Sequence, residues 1–239
     1  MISAQWEVAV LIPARNEEVL LARCLESVIR ATDSLTATVS ATIVVVSDSS
    51  TDRTAEIACS LIKACGSVLH TRAGTVGTAR ALAASYAIER AAGPLSNIWL
   101  ANTDADCIVP RNWLSDQIDL ASSGIEAVAG IVGVDSFEEH GPEVAARFLA
   151  TYLIHADGTH PHIHGANLGV RADRYVEVGG WANLKTAEDH DLWARLRETG
   201  VRMLSSAQLQ VITSGRRTGR APSGFANALA AHNDAVLVV

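Results

Sequence analysis

The sequence predicts an α/β fold with a mostly parallel sheet layered between helices, followed by a less regular second half. Continuous apolar runs, Val8–Ile12 and Ile43–Val46, mark strands covered on both faces. Each run gives way to a polar loop and then to a segment with apolar residues at helical spacing. This unit recurs, and a strand-helix repeat of that length requires parallel strands joined by right-handed crossovers.

Taken in order, Pro13 is expected to end the first strand. Ala14-Arg15-Asn16-Glu17-Glu18 then leads into a helix whose face carries Leu21, Cys24, Leu25, Val28 and Ile29, with Asn16 as its N-cap. The second strand runs into the polar turn Ser47–Asp52 and a helix with Ala55, Ala58, Leu61 and Ile62 on its apolar side. A third pass gives Val68-Leu69, a loop from Thr71 to Thr75, and a helix carrying Val76, Ala79, Ala83, Tyr86 and Ala87. The fourth apolar run, Ile98–Ala101, ends abruptly in Asn102-Thr103-Asp104-Ala105-Asp106. If the strand stays extended there, Asp104 and Asp106 point to the same side and converge.

Beyond Pro110 the order loosens. Trp113–Ala121 and Glu143–Leu153 read as helices and Ala127–Val134 as a strand. A polar loop from His155 to Gly165 holds four histidines and leads to a strand, Ala166–Val170, a short helix, Ala172–Val178, and a Gly179-Gly180-Trp181 turn. A helix opens at Thr186, with Leu192 and Leu196 inward and Asp191 paired to Arg195 at i,i+4. Val201–Leu204 and Leu209–Thr213 predict two short strands, and Arg216, Arg217 and Arg220 form a basic loop. The apolar end, Ala235–Val239, suits either contact with another subunit, as in a homodimer, or a chain cut at that point. With no repeat or linker, residues 1–239 are expected to form a single domain.

Composition narrows the function. At 239 residues and 49% hydrophobic, the chain can bury a sizeable core. Its net charge of -7 argues against nucleic-acid binding, which rests on Lys and Arg meeting phosphates. Cys24, Cys59, Cys65 and Cys107 have no metal-like or paired spacing and read as reduced thiols, which favours the cytoplasm. No stretch approaches the roughly 18 apolar residues of a membrane span, although peripheral membrane contact stays compatible with the sequence.

Neither G-x-G-x-x-G nor G-x-x-x-x-G-K-[ST] is present, so the usual dinucleotide and triphosphate cradles are missing. The strand-end loops instead offer Arg15, Glu17, Asp48, Arg72 and Arg80 beside Asp104 and Asp106. Two neighbouring carboxylates are tolerable when a hard cation sits between them or when one stays protonated. Such a crevice suits a diphosphate whose charge is shared between a divalent metal and arginine forks.

This combination resembles glycosyltransferase family 2, inverting nucleotide-sugar transferases of GT-A fold. The resemblance rests on Val8–Glu17, Val45–Asp52, Asp104-Ala105-Asp106 with Pro110, and Gly179-Gly180-Trp181 followed by Glu188-Asp189, in the family's order. It implies a Rossmann-like sheet, with residues 1–110 as a nucleotide-binding half and 111–239 as an acceptor-binding half. Pro13, Ala14, Arg15, Glu17 and Asp48 would hold the nucleoside, Asp48 as the base-contacting acid, and Arg80 would approach the diphosphate. Asp104 and Asp106 would hold a divalent cofactor, Mn²⁺ or Mg²⁺. The Glu188-Asp189 pair would supply catalysis, Asp189 as general base toward an unidentified hydroxyl acceptor. The chain departs from the family in Ser47-Asp48-Ser49-Ser50, where two acids and a glycine are usual, and in lacking a Q-x-x-R-W pattern. Arg216-Arg217-Thr218-Gly219-Arg220 stands in roughly that place and reads as a diphosphate clamp or lid.

Blander readings stand beside these. Asp104 and Asp106 can bond their own backbone in a turn, Asp48 can be an ordinary turn residue, and Arg15 and Arg80 can be solvated helix-end charges. Asp189, three residues after Thr186, can close a capping box. The histidine loop admits a zinc site or a wall on the acceptor side, and Trp181 admits a core position or a stacking platform for a sugar. Two other functions remain: a non-catalytic nucleotide-sugar or glycan-binding module of the same fold, and a nucleotidyltransferase.

Overall fold

A computed structural model describes residues 6–220 and 224–234. Seven strands, β1 (Trp6–Ala14), β2 (Val39–Asp48), β3 (Gly66–Thr71), β4 (Ile98–Asn102), β5 (Ala127–Val134), β6 (Leu168–Arg171) and β7 (Met203–Thr213), form one sheet in the order β3-β2-β1-β4-β6-β5-β7. Every pairing is parallel except those of β6, which runs antiparallel between β4 and β5. The eight α-helices of the described residues are α1 (Leu21–Thr32), α2 (Thr54–Ile62), α3 (Val76–Arg90), α4 (Trp113–Ser122), α5 (Val144–Thr151), α6 (Ala172–Glu177), α7 (Glu188–Glu198) and α8 (Phe225–Asp234). Among the described residues no helix is long and apolar enough to cross a membrane.

The side-chain alternation of β1 explains the layering. Val8, Val10 and Ile12 join one core with α1, α2 and α4, whereas Ala9 and Leu11 join a second core with α3, α6 and α7. A smaller cluster of Val144, Phe148 and Leu229 ties α5 to α8. Strand β1 lies between β2 and β4, so the chain leaves its end toward one side while β4 arrives on the other. Connections that diverge in this way open a crevice at the carboxyl ends of the strands.

Several local expectations change. Pro13 does not end β1 but pairs with Val46 of β2, and the strand runs on to Ala14. The carbonyl of Leu11 accepts from Thr103 on the β4 side, so two residues on the nitrogen of Pro13 faces that same side, beyond the last residue of β4. No ladder bond is lost there. Asn16 is no N-cap: it takes a left-handed φ of 52°, and its side chain accepts from the Thr51 N–H at 2.8 Å. Asp104 and Asp106 sit beyond β4, in a turn closed by the Cys107 N–H on the Asp104 carbonyl at 3.0 Å. The expected strands 201–204 and 209–213 are one strand, β7, whose register against β5 jumps between Gly130 and Ile131. The Ala235–Val239 segment lies outside the described residues.

Asn167 braces that irregularity. Its amide donates to the carbonyls of Ile131 and Leu209, both at 2.9 Å, and its oxygen accepts from Trp113 Nε1 at 2.9 Å. A methyl group on Gly130 would fall on this amide and on the Leu209 carbonyl. Gly130→Ala is therefore expected to destabilise the chain by about 1–3 kcal/mol, the usual range for overpacking. Thermal melts that match those of the parent chain would contradict the fit.

Candidate active site

The ends of β1, β2, β3, β4 and β7 and the loops that follow them furnish the crevice. Loop β1–α1 carries Glu17, whose N–H donates to Thr54 Oγ1 at 2.7 Å, so the start of α2 fixes the loop. Asp48, at the end of β2, accepts the Gly74 N–H with both oxygens at 3.0 and 3.1 Å. Gly74 holds a φ of +74°, a conformation that side chains with a Cβ disfavour. Pro13, Ala14, Arg15, Glu17, Asp48, Asp104 and Asp106 all line one cavity, closed on its far side by Thr213, Ser214, Arg216 and Arg220.

Two arginines hold the acids in place. Arg216 forks onto Glu17 at 2.7 and 2.8 Å and reaches Asp106 at 2.9 Å. Arg80, only 2% exposed, bonds Asp104 through one nitrogen and Glu188 through the other, the latter at 2.7 Å. Burial alone pulls the Arg80 pKa down, but Asp104, Glu188 and Asp189 together raise it. The Trp181 ring lies 5.1 Å from this guanidinium. Arg80 is thus not a free cation facing a diphosphate, as expected from the sequence, but a buried brace between two carboxylates.

Burial pushes the Asp106 pKa up to about 6; repulsion from Asp104 and Glu17 adds to the rise, and Arg216 opposes it. Burial likewise raises the Glu188 pKa, with Arg80 opposing. Glu17, Asp104, Asp106 and Glu188 face Arg80, Arg216 and, at 3.8 Å from Glu17, Arg220, an excess of one negative charge when all are ionised. A hard divalent cation suits that excess and the all-oxygen donor set. Among the described residues no group of three or more His, Cys, Asp and Glu forms a cage. Two carboxylates beside an open cavity fit the way Mg²⁺ is commonly held, by one or two acids plus substrate phosphates.

A second cavity adjoins the first. Asp104, Lys185, Thr213 and Phe225 line both, while Arg80, His164, Glu188 and Asp189 line the second. Asp189 closes no capping box with Thr186, because α7 starts after Ala187, but its Oδ1 accepts the His190 N–H of the helix's own first turn at 2.8 Å. Its carboxylate accepts from the Gly165 N–H at 2.8 Å. Asp104 and the Glu188-Asp189 pair are therefore brought to one crevice from 84 and 85 positions apart along the chain.

Other candidates separate from it. Trp181 is buried in the second core, so the platform reading gives way to the core reading. Arg72 lines a separate recess with Ser49 and His70. The imidazoles of His160, His162 and His164 stack in parallel, with centroids about 6 Å apart, and do not converge on a metal. The fork of Arg216 on Glu17, together with Lys185 and Phe225, escaped sequence reasoning. The only available signal was a cluster of arginines far downstream.

The sequence model of Glycosyl transferase family 2 matches residues 9–173. No curated protein matches the chain. TarS 1–349 of S. aureus in complex with UDP-GlcNAc is similar at a TM-score of 0.66 and 18% identity, over 92% of this chain and 61% of that one. A mannosyltransferase, PcManGT from Pyrobaculum calidifontis in complex with GDP-Man and Mn²⁺, is similar at 0.62 and 19%, over 89% and 58%. The chain spans about three fifths of the length of these structures. At such identities the likeness shows a shared fold, in agreement with the GT-A arrangement expected from the sequence.

The Asp106 carboxyl has a folded pKa raised from 3.8 to about 6. Its stabilising contribution is complete below the lower value and is lost as pH rises through the upper one. Asp106→Asn, melted with a chelator present, should therefore gain on the parent chain between pH 5 and pH 7.5. The expected gain is at least about 2–4 °C, the shift that 1 kcal/mol produces at this size. A difference in Tm that does not change with pH would contradict the burial of this charge.

Proposed function

The chain belongs to glycosyl transferase family 2, and from that premise we propose that it moves a sugar from a nucleoside-diphosphate sugar to a hydroxyl acceptor, with inversion at the anomeric carbon and a divalent cation as cofactor. The observation that carries the reading is that Asp104 lines two adjoining cavities, one holding Asp106 and the other Asp189. A transferase needs that division, with a donor on one side of the reacting carbon and an acceptor on the other.

In this reading Pro13, Ala14, Arg15 and Glu17 border the nucleoside, and Asp48 meets the base. Asp104 and Asp106 hold Mn²⁺ or Mg²⁺, which when bound would stabilise the negative charge growing on the leaving diphosphate. Arg15, Lys185 and Arg220, exposed around the donor cavity, supply further positive charge to the phosphates. Arg80 and Glu188 act one step back. Their buried pair keeps Asp104 oriented and anchors the residue before Asp189. Asp189, steadied by the Gly165 N–H, takes the proton of the acceptor hydroxyl as its oxygen attacks the anomeric carbon from the face opposite the diphosphate.

UDP-GlcNAc and GDP-Man are the first donors to try, because similar structures hold them. With Mn²⁺, the chain should bind one nucleoside diphosphate and release it slowly from the matching nucleotide sugar without added acceptor. Asp106→Ala should weaken Mn²⁺-dependent nucleotide binding by about tenfold or more. Asp189→Asn should leave that binding unchanged and lower kcat by about 10²–10⁴-fold. Tight nucleotide binding with no turnover on any donor or acceptor would indicate a binding module instead.

A further inference from the structure

The histidine loop contains a hydrogen-bond relay that the proposed reaction has not yet used. The Val132 N–H can only donate, and it donates to Tyr152 Oη at 2.9 Å. Tyr152 Oη lies 2.9 Å from His164 Nε2. Tyr152 Oη, already accepting from the backbone, satisfies its own proton by donating it to the better base, the imidazole nitrogen. Nε2 of His164 must then be bare, and its proton sits on Nδ1.

The relay is held rigidly. The Tyr152 ring stacks on His162 at 4.0 Å and 11°, and Phe225 packs edge-on against His164 at 5.9 Å. Burial pulls the His164 pKa down to about 4; Asp189 opposes the fall, while His162, His190 and His160 add to it. Burial pushes the Tyr152 hydroxyl up to about 12. Both groups are therefore neutral near pH 7. His164 lines the second cavity and Tyr152 does not. With Nε2 engaged by Tyr152, Nδ1 is the ring nitrogen left for a ligand. The next residue, Gly165, gives its N–H to Asp189, which puts an obligatory donor beside an obligatory acceptor.

We propose that His164 is an acceptor-binding residue whose Nδ1–H, fixed by Tyr152, grips one oxygen of a vicinal diol while Asp189 receives the proton of the neighbouring hydroxyl. The proposal deepens the transferase reading and rests on it. The acceptor class it selects is a sugar, a common carrier of vicinal hydroxyls, in a cavity lined by Asp104, Glu188, Asp189, Arg80 and Lys185.

The test uses the full chain labelled with ¹⁵N at histidine. The expected spectrum shows His164 protonated on Nδ1 and bare on Nε2, a pattern that Tyr152→Phe abolishes. Methyl glucoside, methyl galactoside and methyl mannoside are then titrated in the presence of Mn²⁺ and UDP or GDP, and at least one should shift the Nδ1 signal. His164→Asn, whose amide N–H replaces Nδ1–H, should bind that glycoside within about threefold of the parent chain, whereas His164→Gln, with its amide at the Nε2 position, should lose about tenfold. A proton on Nε2, equal binding by both variants, or no glycoside binding while the nucleotide binds would each overturn the proposal. If glycosides bind as expected and no nucleotide does, the transferase reading fails and the acceptor site stands; if neither binds, both fall.

Discussion

The arrangement depends on a charge imbalance that the fold concentrates at one edge of the sheet. Four carboxylates, Glu17, Asp104, Asp106 and Glu188, meet three guanidiniums, Arg80, Arg216 and Arg220, in a crevice where Glu17, Arg80 and Glu188 are buried. Buried charges persist only when paired, and truncating one partner of such a pair is strongly destabilising. The arginines arrive from different layers of the structure. Arg80 rises from α3 against the Trp181 ring, and Arg216 comes from the segment after β7. The pairs therefore join the first half of the chain to its second half. Burial, with repulsion from Asp104 and Glu17, raises the Asp106 pKa against the pull of Arg216.

From that imbalance the proposed chemistry follows in steps. The sheet order diverges between β1 and β4, which opens the crevice, and the turn after β4 delivers Asp104 to both cavities. A divalent ion bound there would relieve the repulsion and gather a diphosphate. The start of α7 brings Asp189 to the opposite cavity, held by the backbone of the residue after His164. In the proposed reaction, donor charge and acceptor hydroxyl are handled by different walls of one crevice, so their positions can be set independently.

The first half of the fold was legible because its signals are local. An apolar run such as Val8–Ile12 followed by a face such as Leu21, Cys24, Leu25 and Val28 is read directly as a strand and a helix. The gathering of Asp48, Asp104 and Asp106 follows from parallel topology alone. What was not legible depends on partners distant in sequence. Strand β7 looked like two strands because its interruption is answered by Asn167, about forty residues earlier. Asn16 looked like a cap because its true partner, Thr51, belongs to another loop. Arg80 looked like a phosphate contact because nothing nearby revealed its burial, and the fork of Arg216 on Glu17 spans 199 residues.

A crystal structure of the complex with a nucleoside diphosphate and Mn²⁺, phased on the anomalous signal of the metal, tests the central claim most directly. The account predicts one Mn²⁺ in coordination contact with Asp106 and with the diphosphate, and the Asp189 carboxylate facing the same crevice across the site of the leaving bond. A metal bound elsewhere, or a diphosphate seated where Asp189 cannot face it, would contradict the account.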